Sequence, residues 1–240
     1  MPLPSLVVPT HELILPSTEK PIKFRPFLVK EEKLLLLALE SEDNKEITTA
    51  IKTIISNCIL TKGIKVETLP TFDIEFLFLN IRKKSVGETI DLTVYCPDDG
   101  VTEVKIQIDL DDVKVQKDPN HSKTIKIGDK FILELKYPSL EQFIKNNFDV
   151  EKMTTEQSYD MIVDCIDKLT IEDEVYVFSD YSRDDWDSFL ENLPGNEFKK
   201  IETFFETMPK LRHEIEVTNP VTKVTEKIVL EGLTAFFTSQ

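Results

Sequence analysis

The sequence predicts an α+β fold: a helical core with a small antiparallel β-sheet insertion, an extended N-terminal arm and a C-terminal β-hairpin. Three observations predict it. Apolar residues recur at helical spacing before residue 87 and again after 138. Between those stretches the period falls to two, as it does in half-buried strands. The start of the chain is broken by Pro2, Pro4, Pro9, Pro16, Pro21 and Pro26, none of which can donate a ladder hydrogen bond. The expected organisation is an arm over 1–28, a helical unit over 29–87, a β insertion over 88–137 and a helical unit over 138–240 that ends in a hairpin. The two helical units are expected to share one core.

In the arm, Leu6-Val7-Val8 and Leu13-Ile14-Leu15 are short extended pieces. They suit either an edge strand paired within the chain or an arm that adds to another chain's open edge. The chain turns helical after Val29, and Leu34 to Leu39 is apolar on every side. Such a helix belongs under its own core or under a partner. Ile47, Ala50, Ile51, Ile54, Ile55, Cys58 and Ile59 then mark one face of an amphipathic helix. Pro70-Thr71-Phe72-Asp73 opens a third helix running to about Lys84. Acids at its start and Arg82-Lys83-Lys84 at its end suit the helix dipole, and Gly87 stops it.

Thr89 to Tyr95 alternates, Asp98-Asp99-Gly100 turns, and Val104, Ile106 and Ile108 alternate again. Asp-Gly between two alternating runs is a strong hairpin signal. Further strands are expected near Val113 to Gln116, Thr124 to Ile127 and Phe131 to Lys136. Thr154 with Gln157 reads as a capping box, with Tyr159, Ile162, Val163, Ile166 and Leu169 along the helix face that follows. Trp186, Phe189, Leu190 and Leu193 form the next face, capped by Ser182 or Asp180. Phe198, Ile201, Phe205 and Met208 form the last. Leu211 to Val217 and Val224 to Leu230 alternate about a turn at Asn219-Pro220.

Function is first bounded by what is missing. The formal charge of −15 opposes phosphate backbones, so nucleic acid is not an expected partner. The longest apolar run is too short to span a bilayer, and the Met1-Pro2-Leu3-Pro4-Ser5 start has no secretory pattern. With three cysteines, Cys58, Cys96 and Cys165, in no CxxC spacing, a reducing cytosol is expected. Six glycines in 240 residues form neither a phosphate loop nor a nucleophile elbow. His11, His121 and His213 lie apart from one another and from the cysteines. The acidic stretches Asp109–Asp112 and Asp180–Asp185 lack the glycine and distal glutamate of a calcium loop, and the second reads as helix capping. The Cys96-Pro97-Asp98-Asp99-Gly100 tip has no second ligand pair for zinc. No catalytic residue, metal, cofactor or small-molecule substrate is expected, and protein–protein binding is the function left.

Several segments then carry a resemblance. They are Phe24-Arg25-Pro26-Phe27-Leu28-Val29-Lys30-Glu31-Glu32-Lys33-Leu34-Leu35-Leu36 with the amphipathic helix behind it, Leu79-Asn80-Ile81-Arg82-Lys83-Lys84-Ser85-Val86-Gly87-Glu88, the hairpin from Cys96 to Val115, and Phe204-Phe205-Glu206-Thr207-Met208-Pro209-Lys210-Leu211. In this order they resemble the baseplate hub proteins of T4-like contractile-tailed phages, the family of the hub subunit and hub assembly catalyst. The resemblance implies a non-enzymatic role in building the tail baseplate hub, with other baseplate and hub proteins as partners. Arg25, Pro26, Phe27 and Leu28, which lead into the apolar helix, are the expected partner-binding residues. A structural subunit and an assembly chaperone absent from the virion are both compatible with this reading. A carboxylate-based enzyme would need two acids facing across a cleft, one with a raised pKa.

Overall fold

The computed structural model describes residues 7–41, 43–140, 142, 154–232 and 235. Strands β1 (His11–Ile14) and β2 (Pro21–Phe24) come first, followed by helices α1 (Val29–Glu40), α2 (Asn44–Cys58) and α3 (Thr71–Val86). Then come β3 (Thr89–Tyr95), β4 (Glu103–Asp109), β5 (Lys114–Gln116), β6 (Thr124–Ile127) and β7 (Phe131–Leu135). Helix α4 (Thr155–Asp164) leads into β8 (Ile166–Ile171) and β9 (Glu174–Val177). Helices α5 (Arg183–Glu191) and α6 (Gly195–Thr207) precede the last pair, β10 (Lys210–Thr218) and β11 (Thr225–Glu231). The fold is α+β, with small antiparallel sheets among the helices.

Two compact units divide the chain. The first joins the residues up to Gln116 to those from Lys210 onward, and the second is Lys117–Pro209. Strands β3, β4 and β5 therefore belong to the first unit, and β6 and β7 to the second. The chain leaves the first unit at Gln116 and returns at Lys210, and these two residues are partners across β5 and β10.

In the first unit the N-terminal segment folds back on itself. Strands β1 and β2 pair antiparallel from His11↔Phe24 to Ile14↔Pro21. Phe24 bridges to Ile59, just past α2, so of the two settings open to this segment the chain adopts the intramolecular one. Leu15, Ile22 and Phe24 are buried, as are Ile54, Ile55 and Cys58 of α2 and Leu77, Phe78 and Ile81 of α3. Asp73, fully buried in the first turn of α3, accepts from the Ser17 backbone N–H at 3.0 Å and from the Ser17 hydroxyl. That contact ties the β1–β2 turn to a helix N-terminus, where a carboxylate is stabilised. Helix α3 stops at Gly87, whose φ of 132° suits glycine.

Beyond Gly87, β3 and β4 form a regular hairpin from Thr89↔Asp109 to Tyr95↔Glu103, and β11-β10-β5 form a three-stranded sheet. Ile90, Leu92, Ile108, Leu110, Val113, Leu211 and Leu230 pack with Leu79 of α3 in one cluster. The two hairpin tips are joined by Asn219, which is fully buried. Its amide donates to Asp98 at 3.0 Å and to Asp99 at 2.9 Å. Its carbonyl oxygen accepts from the Val221 and Thr222 N–H groups.

In the second unit β6-β7-β8-β9 form an antiparallel sheet covered by α4, α5 and α6. Leu133, Ile166, Trp186, Leu190, Ile201 and Phe204 are at the centre of its core. The helical reading of Ile166 and Leu169 is corrected here. Helix α4 ends at Asp164, and both residues lie on β8, where Leu169 pairs with Leu133 and Tyr176. Two strands flank this segment, and ladder pairing outweighs its helical spacing. The capping readings hold: Thr154 and Ser182 each accept from the backbone N–H three residues on. Arg183 at the start of α5 reaches Asp160 at 2.7 Å and Asp187 at 3.1 Å, and also Asp164, and so staples α5 to α4.

Candidate functional site

The segment between β2 and α1 is built as a latch. The Arg25 N–H donates to the Cys58 carbonyl at 2.9 Å, which extends the strand bridge along the end of α2. Its guanidinium turns inward. Nη2 donates to Glu31 Oε1 at 3.0 Å, and Nη1 donates to the Pro26 carbonyl at 2.9 Å and lies 3.6 Å from Cys58 Sγ. Glu31 is 1% exposed. Its other oxygen accepts the Leu28 N–H at 2.9 Å, satisfying one of the donors free at the start of α1. Burial alone would raise the Glu31 pKa, but the bonds from Arg25 and from the Leu28 N–H outweigh it and hold the carboxyl below its ordinary value. Burial pushes the Cys58 thiol up to about 11, so it stays protonated and inert. The Phe27 N–H donates to Ser85 Oγ at 2.9 Å, and that hydroxyl donates to the Ile81 carbonyl.

The four residues expected to bind a partner thus divide. Arg25, Pro26 and Phe27 face the interior or the latch, while Leu28 is 38% exposed. Along α1, Val29 is 78% exposed and, two turns on, Leu36 is 54% and Leu37 53% exposed, with the charged Glu32 and Lys33 between them. Only Leu35 and Ala38 of the apolar run are fully buried. Beside this face, Leu34, Leu37 and Ala38 of α1 and Thr49, Ala50 and Thr53 of α2 line an open groove of about 400 Å³. It is a shallow, chiefly apolar channel between two helices, with Lys45 and Glu46 also on its wall.

Several polar groups elsewhere are tied into the fold. Among the described residues no group of three or more His, Cys, Asp or Glu is placed to hold a metal ion. Asp99 accepts from the Thr102 hydroxyl and N–H and from the Val101 N–H, and these bonds hold its carboxyl far below the usual range. Asp111 pairs with Lys83, and Asp185 caps α5 with Ser182. Glu31, Glu67, Asp99, Asp111, Asp185 and Glu197 are held below their ordinary values by hydrogen bonds and neighbouring cations.

One cluster escaped the sequence reading. His121 stacks against Tyr137 and packs on Phe204, with ring centroids 5.5 and 5.1 Å away. Its Nδ1 is 3.0 Å from Thr207 Oγ1 and its Nε2 3.0 Å from the Tyr137 hydroxyl. Thr207 already donates to the Thr203 carbonyl, so it accepts from Nδ1–H, leaving Nε2 to accept from Tyr137. Burial, with Lys123 nearby, holds the His121 pKa down and favours this neutral form. Residues 121, 137 and 207 are too far apart in sequence for any local pattern to announce the cluster.

The family model for the T4 bacteriophage base plate protein matches residues 8–238. The chain belongs to this family, and its part is in the phage baseplate, among other baseplate proteins. No curated protein matches it, and no solved structure does. Among the described residues no helix is long and apolar enough to cross a membrane.

Proposed function

We propose that this is a non-enzymatic protein of the tailed-phage baseplate hub, which acts in hub assembly by binding other hub proteins through the exposed side of α1. The observation that carries this reading is the exposure of Leu28 and Val29 at the start of α1 and of Leu36 and Leu37 two turns on, on a helix whose start is fixed by the Arg25–Glu31 ion pair. Exposed leucines on a rigid helix bind a partner at little entropic cost. Arg25, Pro26 and Phe27 contribute by holding that helix in place, and Leu28 by direct contact. Nucleic acid, membrane, small molecules, metals and cofactors have no part in this reading, and assembly takes place in the host cytoplasm.

A second reading, a chaperone that leaves before the virion is finished, is favoured by charge. Residues 117–209 hold 21 Asp and Glu against 11 Lys and Arg, and an acidic surface shields basic faces of an unassembled partner. Mass spectrometry of purified virions against infected-cell lysate separates the two. A hub subunit is found in virions in fixed ratio to the other baseplate proteins. Presence in lysate alone supports the chaperone. Hub proteins that co-purify equally with the wild type and with a Leu36→Asp, Leu37→Asp variant would remove α1 as the docking face.

A further inference from the structure

The sheet of the second unit has two edges, and they are finished differently. Along β6 the outward backbone groups are met by side chains. Ser122 Oγ accepts the Thr124 N–H at 3.1 Å and donates to the Thr124 carbonyl at 3.0 Å. Lys200 Nζ donates to the Lys126 carbonyl at 3.1 Å, and Glu197 accepts the Gly128 N–H at 2.9 Å. Lys200 and Glu197 come from α6, which lies along this edge. An edge occupied in this way cannot receive another strand.

Among the described residues the β9 edge is bare, and β9 pairs there only with β8, from Lys168↔Val177 to Ile171↔Glu174. In an antiparallel pair, every second residue of an outer strand points its N–H and C=O away from the sheet. Among the described residues, no side chain hydrogen-bonds to the backbone of Glu174–Val177. Of the usual guards against pairing, the strand has short length, at four residues, and one charge, Glu174, but not the others. It contains no lysine and no proline, and its register with β8 is unbroken. Val175 is 55% exposed and Val177 39%. On the opposite face of the strand Tyr176 packs against the core, with the Tyr181 ring 5.6 Å from its own.

Charge selects the occupant. The strand is preceded by Glu172 and Asp173, begins with Glu174 and is followed by Asp180. Glu172 is paired, with Lys130 at 2.8 Å. Asp173, Glu174 and Asp180 have no cation partner among the described residues. We propose that β9 is a strand-addition site whose occupant is an extended, lysine- or arginine-bearing segment of another protein. The segment joins the sheet as a fifth strand. Its alternate apolar side chains lie beside Val175 and Val177, and its cations reach the acids at the two ends of β9. This concerns the second unit and stands whether or not α1 docks a partner.

The test uses the full chain and a short synthetic peptide of alternating lysine and valine, with a glutamate–valine counterpart. Amide hydrogen exchange locates binding, and peptide fluorescence anisotropy measures it. The basic peptide is expected to slow exchange in β9 and to bind about tenfold or more tightly than the acidic one, since like charges are penalised at an interface. Val175→Lys places a guard on the strand and is expected to weaken binding about tenfold by the same charge argument. Emission from buried Trp186 shows that the unit remains folded, and Val177→Lys serves if the first variant does not fold. Absence of β9 protection, equal binding of the two peptides, or unchanged binding by a folded lysine variant each overturns the proposal. So does β9 protection that rises with protein concentration without peptide, because the occupant is then a second copy.

Discussion

Glu31 and Arg25 are the two halves of a single joint: a carboxylate 1% exposed takes the guanidinium of the residue that ends the strand bridge and, with its second oxygen, the first free N–H of α1. Arg25→Ala leaves the buried Glu31 with the exposed Lys30, 3.4 Å away, and Glu31→Ala leaves Arg25, 15% exposed, without its carboxylate. Arg25→Ala is expected to cost about 3 kcal/mol, the low end of the penalty for an orphaned buried charge, and Glu31→Ala less, because Arg25 reaches water. Urea unfolding measures each. Changing both together is expected to cost less than the sum of the two changes.

Acid tests the same joint by another route. The folded-state pKa of Glu31 lies below its unfolded value of 4.5. Its contribution to stability is therefore complete above that value and is lost as pH falls through the folded pKa. Urea midpoints taken from pH 7 to pH 3 are expected to fall less steeply in Glu31→Gln than in the wild type. Equal slopes would mean that the latch carboxylate is not linked to folding.

Helix α1 offers a contrast between neighbours. Leu35→Ala, in the core, is expected to cost about 2–5 kcal/mol. Leu36→Ser and Leu37→Ser, on the open side, are expected to stay within about 0.5 kcal/mol while reducing co-purification of hub partners. Thermal unfolding alongside pull-down separates the effects.

His121 makes the second unit sensitive to mild acid. Its pKa is below the ordinary 6.5 because of burial and Lys123, so its contribution is present above that pH and is lost as pH falls through the folded value. The lone tryptophan, Trp186, is buried in the same unit and reports its unfolding by fluorescence. The urea midpoint of that signal is expected to drop as pH falls below 6.5, with a smaller drop in His121→Gln.

Asn219 is the pin between two hairpin tips. Asn219→Ala is expected to cost about 1–3 kcal/mol, because the hydrogen bonds of a buried amide are lost. Asn219→Asp, which sets a third carboxylate beside Asp98 and Asp99, is expected to cost more. Denaturant midpoints rank the variants.

What the sequence reveals here follows the range of the interactions. Helices α1 to α3 and the hairpins β3–β4 and β10–β11 are written in local periods and turn residues such as Asp99-Gly100, and they form where the pattern places them. Strand β9 was not legible. Its four residues follow a turn in which Glu172 takes a φ of 54°, a place where glycine or asparagine would have given the signal. The β5–β10 pairing joins residues far apart in the chain, and no local pattern records it. At the candidate site, the pattern of Phe24 to Leu36 marks the right segment but not the side each residue faces. Helical spacing cannot show that Leu36 and Leu37 have no covering layer while Leu35 does.

The pairing of Gln116 with Lys210 also bears on how such a gene can change. Paired residues of neighbouring strands sit about 5 Å apart, the span of an ordinary turn. Everything encoded between them leaves and returns through one narrow gap. Insertion, loss or exchange of that whole stretch therefore leaves two strand ends that a short loop can rejoin. The acid-rich part of the protein is in this sense strung on the first unit by two strand ends that lie side by side.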